Sequence, residues 1–208
     1  MKINKISDIC IFADFDTLHD MGNTLLRVEP SSDFGYLVSN DFAFSKRTNE
    51  SPGWNFSSDE GKMYEASYFN LFYDNFASLR ENEKLLVKKI KDVDFKYFIS
   101  TCSKESCGAF EHELSHVFYF EYFRYKAFCD FGINEIDSGL YKVMSDKLFD
   151  SGYFPQNFNN EIQAYLLDGS DFFGMNKFEK IKNLSKNLEE LFFDFYSDNI
   201  YNKWERIY

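Results

Sequence analysis

The sequence predicts an α+β fold that is predominantly helical and contains a small sheet. Helices are indicated because several segments repeat apolar side chains every three or four residues, which aligns them on one face of an α-helix. Short segments that alternate apolar and polar side chains indicate strands. The 208 residues suffice for one well-buried core, filled largely by the 26 phenylalanines. We therefore expect a single domain over 1–208, with an N-terminal α/β portion over 1–56 and a helical portion over 57–208.

The strands are predicted from alternating and aromatic-rich segments. The segment 95–101, Phe-Lys-Tyr-Phe-Ile-Ser-Thr, is the best defined of them. A loop over 49–56 contains Pro52 and Gly53 and marks the boundary between the two portions. The predicted strands are 6–13, one or two within 35–47, and 95–101.

The predicted helices begin at capping residues or follow residues that break helices. Asp16 can cap the first, which ends near Pro30. Ser57 and Glu60 form a capping-box pattern for the second. The predicted helices are 16–30, 57–79, 83–90, 105–130, 134–150, 160–167 and 176–208, and Gly132 is expected to end the fourth near the left-handed conformation.

The string Asp14-Phe15-Asp16-Thr17-Leu18 follows the first predicted strand and admits a second interpretation. It resembles the DxDxT nucleophile motif of haloacid dehalogenase-type phosphatases. Those enzymes need a later lysine and a further acidic pair on a Rossmann-like sheet, and no alternation of strands and helices is predicted to follow here. We therefore interpret the string as the start of a helix.

Composition argues against several classes of partner. The net charge of -11 and the isoelectric point near 4.8 disfavour nucleic acid and anionic membranes, which bind clustered lysine and arginine. No signal peptide is visible, and there is no run of about 18 apolar residues that could span a bilayer. We expect a cytoplasmic protein without membrane or nucleic-acid partners, although secretion without a cleavable signal would leave no trace in the sequence. The cysteines lack CxxC spacing and are expected to be reduced: Cys10, Cys102, Cys107 and Cys129.

The segment His112-Glu113-Leu114-Ser115-His116 places two of the 3 histidines of the chain four residues apart. On an α-helix, positions i and i+4 lie on one face, so both imidazoles can bind one Zn²⁺. Zinc lowers the pKa of a bound water toward ~7, and the carboxylate of Glu113 can take the proton as that water attacks a carbonyl. The pattern therefore predicts a zinc hydrolase whose metal ligands include His112 and His116.

A zinc site needs a third protein ligand, and the remaining histidine, His19, lies far upstream. A carboxylate is the better candidate, and Glu161 stands out because its short predicted helix is flanked by residues that break helices. Ala164 allows that helix to pack closely against another, and Tyr165 lies one turn from Glu161 on the same face. The competing carboxylates are Glu135, Asp137 and Asp168.

The pairing of HExxH with the downstream Asn160-Glu161-Ile162-Gln163-Ala164-Tyr165 resembles gluzincins, the zinc peptidases whose third ligand is a glutamate on a later helix. It is also similar to a set of small uncharacterised bacterial proteins that share the two segments. The resemblance covers 109–168 and implies a zincin-like fold around an active-site helix. It implies zinc ligands His112, His116 and Glu161, and Glu113 as the general base.

The resemblance also implies where a substrate would bind. Zincin-type peptidases run an edge strand above the active-site helix and bind an extended substrate along it, and 95–101 is expected to be that strand. The spacing departs from the family pattern, because Glu161 follows the second histidine by 45 residues, more than in thermolysin-type enzymes.

The predicted activity is hydrolysis of a peptide or protein substrate by water that Glu113 activates. A hydrogen-bond donor must stabilise the developing oxyanion, and we assign this role to Tyr165, with Tyr153 and Tyr119 as alternatives. Two other functions stay open. One is a catalytically inactive zincin-fold protein that binds metal as a regulatory or interaction module, and the other is an effector or toxin peptidase with one protein target. Neither oligomeric state nor cleavage specificity follows from the sequence.

Overall fold

A computed structural model of the chain describes residues 1–25, 28, 61–102, 109–169, 171–174, 178–201, 203 and 205–206. They belong to two compact units: unit 1 is Met1–Cys107 with Lys203–Tyr208, and unit 2 is Gly108–Asn202. The predicted α+β class with a helical majority and a small sheet is confirmed. The predicted strands within 35–47, the loop over 49–56 and the capping box at Ser57 lie outside the described residues, so the single domain with its boundary at residue 56 stays a prediction.

Unit 1 is built on a small mixed sheet. Its described strands are β1 (Lys2–Lys5), β2 (Cys10–Asp14), β3 (Gly61–Glu65), β4 (Tyr97–Thr101) and β5 (Glu205–Arg206), and its described helices are α1 (Leu18–Leu25), α2 (Asn70–Asp74) and α3 (Glu81–Ile90). The strand order is β3-β4-β2-β1-β5, with β2 parallel to β4 and the other described pairs antiparallel. Phenylalanines fill its core, as the composition predicts, with Phe69, Phe72 and Phe98 fully buried.

The predicted strand at 95–101 is confirmed as β4, but its predicted position at a sheet edge is wrong. Phe98 pairs with Ile11 of β2 on one side and with Tyr64 of β3 on the other. All five residues of β4 are buried, which is expected of a central strand because both of its edges and both of its faces are covered. Both backbone edges of β4 are therefore occupied by neighbouring strands, and an extended substrate cannot pair with it.

The predicted helix at 57–79 is wrong over β3, where the chain is extended. Met63 pairs with Ile99, and the Tyr64 ring packs edge-on against Phe69 at a centroid distance of 6.3 Å. The helical pattern appears only after the strand, in α2 and in two short 3₁₀ turns over 66–69 and 76–78. Pairing with β4 satisfies the backbone of this segment and overrides its local preference.

The DxDxT string starts α1, as interpreted, but the capping residue differs from the prediction. The backbone N–H of Asp20 donates to Oγ1 of Thr17 at 3.0 Å, so Thr17 caps the helix instead of Asp16. Asp16 accepts from the amino group of Met1 at 2.7 Å. The helix ends at Leu25, before the predicted Pro30.

Unit 2 is helical in its described residues. Its helices are α4 (Ala109–Glu121), α5 (Phe123–Asn134), α6 (Ser138–Asp150), α7 (Phe158–Leu167) and α8 (Glu179–Asn199). The predicted helices at 160–167 and 176–208 are confirmed in α7 and α8, although 205–206 forms β5. Ile181, Leu184 and Leu188 make up most of the buried stripe of α8. Across the described ranges, no helix combines the length and the apolarity needed to cross a bilayer.

The single helix predicted over 105–130 is two helices. Tyr122 separates α4 from α5 with an extended backbone (φ -112°, ψ 103°). Phe118, Tyr122 and Tyr125 all place their rings within 6.0 Å of the ring of Phe195, measured between centroids. Aromatic packing against α8 thus accompanies a break for which the sequence offers neither glycine nor proline.

Gly132 was predicted to end a helix in the left-handed conformation. This prediction is wrong, because Gly132 lies inside α5. A Cβ atom added there would come within 2.6 Å of Cδ1 of Leu184. The absence of a side chain at Gly132 allows α5 and α8 to approach closely. The predicted stop of α7 at Asp168 and Gly169 is confirmed, and Gly169 has the positive φ of 70° that glycine tolerates.

Candidate metal centre

Helix α4 presents His112 and His116 on one face, one turn apart. Their ring centroids are 5.0 Å apart with the ring planes near perpendicular. His116 is only 6% exposed, so a ring with two polar nitrogens is held in the interior of unit 2 and must be compensated there. The local cause is the four-residue spacing, because α-helical geometry brings both rings to the same side.

Helix α7 brings Glu161 to the two histidines. One ligand atom of each of His112, His116 and Glu161 lies within 4.8 Å of the other two. Oε2 of Glu161 lies 3.8 Å from Nε2 of His116. The three residues that the sequence assigned to the metal are therefore adjacent in space, although Glu161 is separated from the histidines by two further helices along the chain.

The competing carboxylates have other positions. Asp137 caps α6 by accepting the backbone N–H of Gly139 at 2.9 Å, and Glu135 is exposed at the end of α5. Asp168 does belong to the site, but its Oδ2 bonds Nδ1 of His112 at 2.8 Å. Asp168 thus orients a histidine instead of joining the ligand group.

Both histidines are bonded through Nδ1. Nδ1 of His116 lies 3.0 Å from Oδ1 of Asn160, in the same way that Nδ1 of His112 meets Asp168. An oxygen acceptor at Nδ1 selects the tautomer with the proton on Nδ1, so the lone pair of each ring is on Nε2. No role was predicted for Asn160 from the sequence, and the signal that it offered was the position of Asn160 directly before Glu161.

Carboxylates dominate the electrostatics of the site. Burial disfavours the charged form of His112, but the hydrogen bond to Asp168 and the negative charges of Glu113, Asp168 and Glu161 outweigh it and raise its pKa above the usual range. The field that favours a proton on His112 also favours a metal cation. Since Glu113 contributes to this field, its carboxylate lies near the predicted ligands.

The donor set fits Zn²⁺. Two imidazole nitrogens and one carboxylate oxygen match the three protein ligands of a catalytic zinc site, which keeps a further position for water or substrate. Acceptors on the second nitrogen of each ring are the usual companions of such ligands.

No family model, curated protein or solved structure matches the chain. The resemblance to gluzincins therefore stays a prediction, and the site is argued from its own residues.

Tyr165 and Tyr153 form a hydroxyl pair beside His112. The ring of Tyr165 meets the ring of His112 edge-on at a centroid distance of 4.8 Å, and its hydroxyl lies 2.8 Å from that of Tyr153. Burial raises the pKa of the Tyr153 phenol, and the charge of Glu161 and the hydrogen bond with Tyr165 raise it further. Tyr153 therefore keeps its proton at neutral pH and can donate.

Two further residues from the sequence prediction lie elsewhere. The hydroxyl of Tyr119 donates to Asp130 at 2.6 Å and accepts from Lys126 at 2.7 Å, so it is engaged in a separate cluster. His19 lies in α1 of unit 1, where its Nε2 meets the amide nitrogen of Asn23 at 2.7 Å. The described cysteines, Cys10, Cys102 and Cys129, are buried and form no disulfide.

Proposed function

We propose that unit 2 is a zincin-like zinc peptidase domain that hydrolyses peptide bonds. The observation that carries the proposal is the convergence of His112, His116 and Glu161, with an oxygen acceptor already bonded to Nδ1 of each histidine. A bound cation would be held by this group, because two imidazoles and a carboxylate each place a ligand atom within 4.8 Å of the others.

The ligands would be Nε2 of each histidine and a carboxylate oxygen of Glu161. When bound, Zn²⁺ would act as a Lewis acid that polarises the scissile carbonyl and acidifies a water molecule. Asp168 and Asn160 hold the rings in the required tautomer.

Glu113 is the general base of the proposed reaction. It follows His112 directly, and its charge reaches both His112 and Tyr153. One carboxylate oxygen accepts the proton of the attacking water and later gives it to the leaving amine, so the same residue serves both halves of the reaction.

The hydroxyl pair of Tyr153 and Tyr165 supports the assignment of an oxyanion donor. A donor must keep its proton while negative charge develops, and the raised pKa of Tyr153 meets that condition. Tyr165 retains the role predicted for it, and Tyr153 joins it.

The test measures zinc content and hydrolysis separately. Purified protein should contain one Zn²⁺ per chain by elemental analysis, and His112→Ala should lose it. Glu113→Gln should keep the zinc and lose hydrolysis of an internally quenched peptide library. Glu111→Gln, which removes a charge from the same helix, should keep both.

The outcomes separate the functions. Protein without zinc, or a His112→Ala variant with unchanged zinc, contradicts the metal site. Zinc-loaded protein that cleaves no peptide in the library contradicts the peptidase and favours a metal-binding interaction module.

A further inference from the structure

We infer that Gln163 is a positioning residue that selects the tautomer of His116, through the side chain of Asn160. The inference rests on the proposed function, because it gives Gln163 a purpose only if His116 is a metal ligand. Gln163 lies in α7, two residues after the predicted ligand Glu161.

The amide of Gln163 is fully buried and bonded at both ends. Its Nε2 donates to Oγ of Ser115 at 2.9 Å and to Oδ1 of Asn160 at 3.4 Å. Its Oε1 accepts from the hydroxyl of Tyr125 at 3.1 Å. Gln163, Ser115 and Tyr125 are each 0% exposed, so solvent cannot replace any of these bonds without opening unit 2.

The direction of this network follows from one backbone carbonyl. Oγ of Ser115 lies 2.7 Å from the carbonyl oxygen of His112, and a carbonyl can only accept. The single hydroxyl proton of Ser115 therefore points at His112, and Oγ must accept from Gln163. The amide nitrogen of Gln163 then faces Ser115, and its second proton is directed at the oxygen of Asn160.

The reversed network is self-consistent at every other contact. With both amides turned, Gln163 would accept from Ser115 and Asn160, and Asn160 would donate to His116. That arrangement leaves the oxygens of Ser115 and His112 at 2.7 Å with no proton between them, which is repulsive. The hydroxyl of Ser115 therefore decides between two amide orientations.

The consequence reaches the metal centre at His116. Because the oxygen of Asn160 faces Nδ1, the proton of the imidazole is on Nδ1 and the lone pair is on Nε2. His112 needs no such help, since the carboxylate of Asp168 can only accept when ionised. An asparagine offers a donor as well as an acceptor, so its orientation has to be set by a third residue.

The experiment reads the tautomer directly in metal-free protein. Imidazole ¹⁵N shifts of histidine-labelled protein at about pH 8, above the ordinary imidazole pKa, distinguish Nδ1–H from Nε2–H. Wild-type His116 should carry the proton on Nδ1. Gln163→Glu should move it to Nε2, because the new carboxylate accepts from Asn160 and turns its amide. Gln163→Met, which removes the donor without adding an acceptor, should give a mixture.

A serine pair supplies a matched control. Ser145 bonds the carbonyl oxygen of Tyr141 at 2.6 Å, as Ser115 bonds that of His112, but on α6 and without an amide partner from Gln163. Ser115→Ala should shift the tautomer of His116, and Ser145→Ala should not. An Nε2–H tautomer in the wild type, an unchanged tautomer in both Gln163 variants, or equal shifts in the two serine variants would overturn the inference.

Zinc affinity gives a second measurement. Competition with a chelating dye should show about tenfold weaker Zn²⁺ binding in Gln163→Met, which is typical when a residue behind a metal ligand is changed. Unchanged affinity in that variant would also overturn the inference. If the wild type binds no zinc, the proposed function fails, while the tautomer measurement still decides whether Gln163 orients Asn160.

Discussion

Glu83 and His116 are both buried, and their partners are of different kinds. Glu83 in the first turn of α3 is fully buried, and it accepts from the backbone N–H of Arg80 at 2.7 Å and from its guanidinium at 2.8 Å. His116 is nearly as buried, but Asn160, its partner at Nδ1, lies 44 residues away. The first cluster closes within one helix turn, whereas the second exists only when α4 and α7 meet.

The difference separates an ionic group that completes a helix start from one that we propose to bind a metal. Glu83 accepts the backbone N–H of Arg80, the residue before α3, and is neutralised by the guanidinium of the same arginine, so its role ends at the helix start. At the metal centre the described ion pairs join histidines to the carboxylates of Asp168 and Glu161. These carboxylates favour a positive charge at the imidazoles, either as a proton on a ring or as a bound metal cation.

The largest expected effect is loss of zinc affinity when the third ligand is removed. Zinc binding is worth about 16 kcal/mol over four ligands, or about 4 kcal/mol for each ligand. Glu161→Gln should therefore raise the Kd for Zn²⁺ about a thousandfold. Isothermal titration with Zn²⁺ measures it. Glu135→Gln removes an exposed carboxylate of the same unit and should leave Kd unchanged. Equal affinity of the two variants would remove Glu161 from the ligand set.

Disrupting the ion pair of Glu83 and Arg80 should lower stability and leave metal binding unchanged. Glu83→Ala leaves the guanidinium of Arg80 without its carboxylate and removes the cap of α3, so the free energy of unfolding should fall by about 3 kcal/mol. Urea denaturation followed by circular dichroism measures the loss. Zinc content should stay at the wild-type value, and a loss of zinc would erase the distinction between the two clusters.

Removing a hydroxyl from the pair of Tyr153 and Tyr165 should lower the rate of catalysis alone. Tyr153→Phe keeps the ring and removes the donor, so kcat should fall about a hundredfold while KM stays constant, as for loss of one oxyanion donor. Tyr141→Phe is the matched control, because its hydroxyl bonds Asn159 at 3.3 Å on the same unit. Equal kcat values in the two variants would assign Tyr153 to packing.

The proximity of His112, His116 and Glu161 could be predicted from sequence because much of its geometry is local. The spacing of His112 and His116 is decided by one turn of helix, and α7 is delimited by the breaks around it. Asn160, Gln163 and Ser115 could not be assigned roles in the same way. Their bonds depend on how α4 and α7 are aligned against each other, and a buried serine or glutamine has no pattern of its own.

The errors in the fold have the same origin. β3 reads as a helix because Met63 and Tyr64 also fit a helical stripe, and only the pairing with β4 makes the segment extended. The break at Tyr122 accompanies ring contacts with Phe195, more than 70 residues later. In α8 the predicted stripe is the buried face of the helix, and there the prediction was correct.

The smallest expected effect concerns a third ionic group, the partly exposed Asp130. It tests whether solvent exposure or the sequence distance to a partner sets the contribution of such a group to stability. Asp130 accepts from Lys126 at 2.7 Å, Tyr119 at 2.6 Å and Asn159 at 2.9 Å. Burial opposes its ionisation, but these hydrogen bonds outweigh it and lower its pKa.

A lowered pKa in the folded state means that the ionised carboxylate stabilises the fold above the unfolded pKa of about 3.9, and that this contribution is lost as the pH falls through the folded value. Asp130→Asn should therefore reduce the free energy of unfolding by less than about 1 kcal/mol at pH 7, since solvent screens the group. The difference from wild type should shrink as the pH falls below about 3.9 and vanish once the carboxylate is protonated in the folded protein, which urea titrations across pH measure. A loss at pH 7 as large as that of Glu83→Ala would mean that the distant partner Asn159, and not exposure, sets the energy of these clusters.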